Sequence, residues 1–222
     1  MSPYPAENAA FRQSVLDALE LADALFRGLD SQRCAELCRE NLSGRFGTLP
    51  AQAAHLTDAL AALQARLPAA DGSSDAAAFC DALQAEHVRL FINDKAGAPA
   101  LPYESLYPDP ADGVEPRMMG AAALAMQKRL QAAGLERAVS ANEPPDHLCI
   151  ELEYLYYLLS RAWNEADTAA QDAAADFAAG VLLPWTRRLR LAVCRADTTG
   201  VYAAAAQVLL AVLNLVASLR VQ

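Results

Sequence analysis

Apolar residues recur along most of this chain at the three- and four-residue spacing of helices with one buried side. Phe11, Val15, Leu19, Ala22 and Phe26 form one such stripe and predict a helix over about residues 8–27. Asp30 is placed to cap a second helix, with Cys34, Leu37 and Cys38 facing inward. Leu56, Leu60, Leu63 and Leu67 space a third, which Pro68 ends because proline lacks the amide a helix interior needs. After a Gly72-Ser73-Ser74 turn, Asp75 caps a fourth helix reaching about Phe91, with Phe79, Leu83 and Leu90 on its apolar face. Helix returns near Glu115, carries Met118, Met119, Ala122, Met126 and Leu130, and ends at Gly134. Pro144 and Pro145 open another, in which Leu148, Leu152, Leu155 and Leu159 make one stripe. Further helices are predicted over about 167–182, 185–195 and 199–220, with Pro184 separating the first two. No strand alternation or internal repeat intervenes. The pattern therefore predicts an all-α fold, a single-domain helical bundle over residues 1–222.

One stretch breaks the pattern. Over about residues 92–114 the helix stops and a proline-punctuated, aromatic connection takes over, in the run HVRLFINDKAGAPALPYESLYPDP. Pro99, Pro102, Pro108, Pro110 and Pro116 bar a helix through this region. Internal connections longer than about 12–15 residues are uncommon and tend to be functional or disordered. Tyr103, Tyr107 and two leucines give this one side chains that can pack.

Composition narrows the function classes. A formal charge of −9 disfavours a nucleic-acid partner, which needs clustered Lys and Arg. The opening MSPYPAENAAFRQS lacks a basic region followed by an apolar run, so no secretory signal is read and a cytoplasmic protein is expected. Five scattered cysteines suit reduced, buried thiols. Cys34 and Cys38 lie one helical turn apart, but without a second pair nearby they read as core thiols rather than metal ligands. Residues 201–219 carry no charge over a length that spans a bilayer. Gln207, Asn214 and Ser218 interrupt that run, so a helix buried on all sides is the preferred reading over a membrane-anchored adaptor.

Catalytic chemistry is largely missing. The chain has no phosphate-cradling GxxxxGK[ST] loop, no GxGxxG and no GxSxG. No Glu is followed by a His three residues later, which excludes a di-iron carboxylate bundle. Neither an enzyme activity, a cofactor nor a metal is predicted. The remaining polar constellation is EPPDHLCIELE, residues 143–153. Asp146 is placed to cap the helix start, and His147 and Glu151 share a face as a surface ion pair. A functional alternative puts Asp146 and His147 at the mouth of a groove facing a cationic ligand. Glu104 is either an exposed loop acid or one tied down by amide donors. Arg187 and Arg188 read as a solvated helix face.

Two segments carry a family resemblance. EHVRLFINDKAGAPALPYESLY, followed by EPPDHLCIELEYL and VLLPW at residues 181–185, resembles the signatures of the TorD/DmsD/NarJ family of redox-enzyme maturation chaperones. The likeness covers about residues 75–195. One departure is Asn93–Asp94, where the family has Gly-Pro. The resemblance implies an all-helical cytoplasmic chaperone. Its partner would be the immature catalytic subunit of a molybdenum oxidoreductase, bound before export at its twin-arginine signal peptide. It implies a peptide-binding set of Tyr103, Glu104, Ser105, Tyr107, Asp146, His147 and Glu151, and a monomer or domain-swapped dimer hinged at the long connection. The variants left open are a NarJ-like chaperone for a client without a leader and a weak nucleotide-binding or hydrolysing protein.

Overall fold

The computed structural model describes residues 9–47, 49–68, 75–93, 97–136 and 143–220. The amphipathic stripes form the predicted helices. Helix α1 (Ala9–Arg27) buries Phe11, Val15, Leu19, Ala22 and Phe26. Asp30 caps α2 (Ser31–Arg39) and Asp75 caps α5 (Ala76–His87), each accepting the amide three residues on. Between them lie a short α3 (Leu42–Arg45), which the periodicity does not reveal, and α4 (Ala54–Gln64). Helices α6 (Ala121–Ala132), α7 (Leu148–Asn164), α8 (Thr168–Phe177), α9 (Leu183–Ala196) and α10 (Val201–Ala217) complete the bundle. No strand forms among the described residues, only an isolated bridge between Tyr103 and His147.

Helix α10 is the centre. It packs against α1, α4, α8 and α9, while α7 packs on α1 and α8. This explains its uncharged sequence: α10 is buried except along the strip Ala203, Gln207, Leu210, Asn214 and Ala217. Expected burial on every side thus gives way to one narrow solvent-facing edge, which the two amides occupy. Among the described residues no helix is long and apolar enough to cross a membrane.

Three features differ from the sequence reading. First, α6 begins at Ala121 rather than near Glu115. Met119 turns the chain with a left-handed φ of 59°, leaving Met118 and Met119 exposed, while Met126 and Leu130 keep their core positions. Second, Pro184 does not separate two helices. A π-helical turn, Ala178–Leu182, carries α8 into α9, so the proline falls in the first turn of α9, where its missing donor costs little. A similar turn, Val88–Ile92, extends α5 past Phe91. Third, the cysteines are not five buried thiols. Packing of α2 on α5 brings Cys34 and Cys80 to a Cα–Cα distance of 5.8 Å, joined as a disulfide. Cys38 and Cys149 are buried and free, and Cys194 is exposed. The Gly72–Ser74 turn and Asp94 lie outside the described residues.

Candidate functional site: a groove between the long connection and helix α7

Hydrogen bonds hold residues 100–105 of the proline-rich connection against the start of α7 and the end of the preceding helix. Pro102 O accepts from Leu148 N at 2.9 Å, and Glu104 N donates to Asp146 O at 3.0 Å. Ser105 N donates to Asp146 Oδ2 at 3.0 Å. At its near end the connection is tied to the preceding helix, where Ala100 N donates to Leu90 O at 3.0 Å. Proline suits such a segment because it pre-sets extended geometry and its carbonyl remains available.

This arrangement corrects the expected cap. The N-cap of α7 is His147, whose Nδ1 accepts from Cys149 N at 3.2 Å. Asp146 is fully buried and turned toward the connection instead. Accepting at Nδ1 puts the imidazole proton on Nε2. Burial lowers the His147 pKa, against a partial offset from Glu143, so the ring is neutral at pH 7. Its ring and that of Tyr103 make a T-shaped contact at 5.0 Å between centroids.

Glu151 also leaves its expected place. It is 0% exposed, not half of a surface pair with His147. Trp185 Nε1 donates to Glu151 Oε2 at 3.0 Å, and the carboxyl of Glu104 is its second hydrogen-bond partner. Burial, then the charge of Glu104, pushes the Glu151 pKa well up. Burial raises that of Glu104 too, while the bond from Glu151 opposes the rise. A proton on Glu151, donated to the Glu104 carboxylate, accounts for both directions. Tyr107 stacks on Trp185 at 5.8 Å, and Arg188 binds Asp109 and the Tyr107 carbonyl. Arg188 is thus a clamp on the connection, whereas Arg187 keeps the solvent-facing position predicted for both.

The outer side of this assembly walls a groove of about 600 Å³. Its apolar lining comes from five parts of the fold: Phe26, Phe91, Leu101, Leu130, Ile150 and Tyr154. Glu136, Glu143 and Glu153 supply carboxylates, with Arg27 beside them. Arg27 is itself held by Asp23 at 2.9 Å and Glu153 at 2.7 Å, so the wall already coordinates one guanidinium. Tyr103 donates its hydroxyl proton to Glu143 Oε2 at 2.5 Å. Burial and this acceptor raise the phenol pKa, keeping it protonated.

Of the seven predicted site residues, Tyr103 and His147 line the groove. Glu104 and Ser105 line a second cavity of about 400 Å³ on the other side of the connection. Tyr107, Asp146 and Glu151 line neither and hold the wall from behind. Sequence reasoning passed over Glu136, Glu143 and Glu153 as site residues. A signal existed for the last two: Glu143 and Glu153 stand at the ends of EPPDHLCIELE, with Glu153 on a different helix face from Glu151.

The first signature segment has a different job. Glu86 accepts two hydrogen bonds from Arg89, both at 2.7 Å, and one from Thr198 N at 2.6 Å. His87 Nε2 donates to Phe26 O at 3.1 Å, and its ring packs between Phe91 and Tyr202. The segment staples α5 to α1 and to the loop before α10.

Comparison with known proteins agrees with these segments. The family described as nitrate reductase delta subunit matches residues 49–190. Chaperone protein TorD of Vibrio cholerae is 34% identical over 74% of this chain and 69% of its own length. Chaperone protein TorD of Aliivibrio fischeri is 30% identical over 84% of this chain and 88% of its own. A solved structure of a candidate redox enzyme maturation protein from Archaeoglobus fulgidus aligns over 90% of this chain and 91% of its own at 21% identity, with a TM-score of 0.48.

Proposed function

The chain belongs to the TorD/DmsD/NarJ family of redox-enzyme maturation chaperones, and on that premise we propose that it is the cytoplasmic chaperone of one molybdenum oxidoreductase. In this reading it binds the immature catalytic subunit at a segment that is basic and then apolar, as a twin-arginine leader is, and holds it until the cofactor is inserted. The observation that carries the reading is the groove, with its apolar lining and carboxylate edge. An apolar stretch buries against Phe91, Leu101 and Ile150, while leader arginines pair with Glu136 and Glu143. Ordering a flexible peptide opposes binding, so affinity is expected in the ~μM range and to weaken with salt.

The test is calorimetry with the client's leader peptide and with intact apo-subunit. Ile92, 60% exposed at the groove, tolerates substitution without core loss. Ile92→Asp is expected to weaken peptide binding at least about tenfold, one lost apolar anchor being worth more than 1.4 kcal/mol. Unchanged peptide affinity in this variant would sink the groove assignment.

The family's description as a nitrate reductase subunit favours a second reading, in which the client's mature body is the epitope. In that case the apo-subunit binds, its leader peptide does not compete, and Ile92→Asp is silent. The long connection as a domain-swap hinge is a further part of the proposal, checked by whether Pro102→Gly shifts the monomer–dimer balance.

A further inference from the structure

The fold assembles three cysteine sulfurs that the sequence keeps apart. Cys34 and Cys38 share one face of α2, four residues apart, and Cys80 comes from α5 packed against it. The three Sγ atoms lie within 4.8 Å of one another. All three side chains are buried; Cys38, in the last turn of α2, is the most open at 4% exposure. No other described group of three His, Cys, Asp or Glu side chains converges in this way.

We propose that, with the Cys34–Cys80 bond reduced, this cluster is a binding site for a soft d10 cation, Cu(I) by its coordination number. Three sulfurs, with no carboxylate or imidazole beside them among the described residues, make a ligand set that selects thiophilic ions over Mg, Ca or Mn. Zinc completes a tetrahedron with a fourth protein ligand or a water. Among the described residues no fourth His, Cys, Asp or Glu joins the group, and the burial of all three cysteines disfavours a bound water. A trigonal thiolate site of that kind suits Cu(I). Burial pushes the Cys38 thiol up, and the guanidinium of Arg39 opposes only part of that rise.

The chemistry balances with one named co-reactant. A dithiol reductant gives two electrons and two protons to the Cys34–Cys80 bond and leaves as its own cyclic disulfide. Cu(I) then displaces thiol protons to solvent as the Cu–S bonds form, so loading takes up no electrons and is favoured by higher pH. The site lies outside the peptide groove, and its test does not depend on the proposed client.

The experiment uses the full chain with the exposed thiol removed, Cys194→Ser. The protein is reduced with dithiothreitol, desalted without oxygen, and titrated with Cu(I) against bicinchoninate, with thiols counted under denaturing conditions. One retained equivalent with three sulfurs in the X-ray absorption spectrum is the expected result. Cys38→Ala leaves the Cys34–Cys80 pair intact and should lower affinity by at least about 100-fold, the upper range for losing a group that only orients a ligand. Circular dichroism of that variant separates ligand loss from misfolding. Retention of copper by Cys38→Ala, a Cys34–Cys80 bond that persists through reduction, or Zn(II) outcompeting Cu(I) would each overturn the assignment.

Discussion

The two signature segments bury a glutamate each and treat it in opposite ways. Glu86 meets Arg89 and the Thr198 amide, and those bonds hold its pKa down at about 2 against the effect of burial. Glu151 meets Trp185 and the acid Glu104, and burial drives its pKa up. The first is a charged staple between helices. The second is a neutral acid behind a groove wall, linking α7, α9 and the long connection through one proton. A motif glutamate is therefore not one kind of object; the partners that the fold supplies decide its charge.

The largest predicted effect falls on Glu151. Replacement by Ala opens a cavity in the core and strands the Trp185 donor, and is expected to cost about 3 kcal/mol in urea unfolding. Glu151→Gln keeps an acceptor for Trp185 and a donor for Glu104, so its cost should stay below about 1 kcal/mol. Equal losses in the two variants would show that Glu151 is not a neutral hydrogen-bonding group.

Next comes Glu86→Gln, which removes charge-assisted bonds and is expected to cost about 2 kcal/mol at pH 7. The pH dependence sharpens the contrast. Glu86 has a depressed folded pKa, so its contribution is complete above the ordinary value of 4.5 and is lost as pH falls toward about 2. Glu151 has a raised folded pKa, so its contribution is complete below 4.5 and is lost as pH rises toward the folded value. Unfolding measured across pH should lose its acid-side slope in Glu86→Gln and its slope above pH 4.5 in Glu151→Gln. A shared profile for the two variants would break the comparison.

Gly28 tests the staple from the other side. It follows α1 with φ at +95°, and an added Cβ would lie 2.8 Å from the His87 ring. Gly28→Ala should cost about 1–2 kcal/mol, through backbone strain and displacement of His87. The smallest effect belongs to the exposed bond from Tyr103 to Glu143. Tyr103→Phe should lower stability by only about 0.5 kcal/mol, leaving peptide affinity as its informative readout.

Local pattern fixed much of the fold. The stripe on α1, the Asp30 and Asp75 caps and the uncharged α10 were legible because each depends on spacing within one element. The all-α class and the family were legible for the same reason, since their signals lie in contiguous runs. Asp146 was legible as important but not in role. Its carboxylate sits at a helix start, where a cap is the ordinary expectation, and only the approach of Ser105 redirects it. Glu151 was set on the surface because His147 lies one turn away; Trp185, 34 residues later, decides otherwise.

The sequence by itself thus determined which segments are helical, where most of them end, and which residues carry polar chemistry. Tertiary structure alone decided which glutamate is charged, which carboxylates face the groove, and that Cys80 joins Cys34 and Cys38. The physical reason is range. Helix periodicity and capping are read within a few residues, whereas a pKa, a groove wall or a ligand cluster depends on side chains brought together from distant parts of the chain.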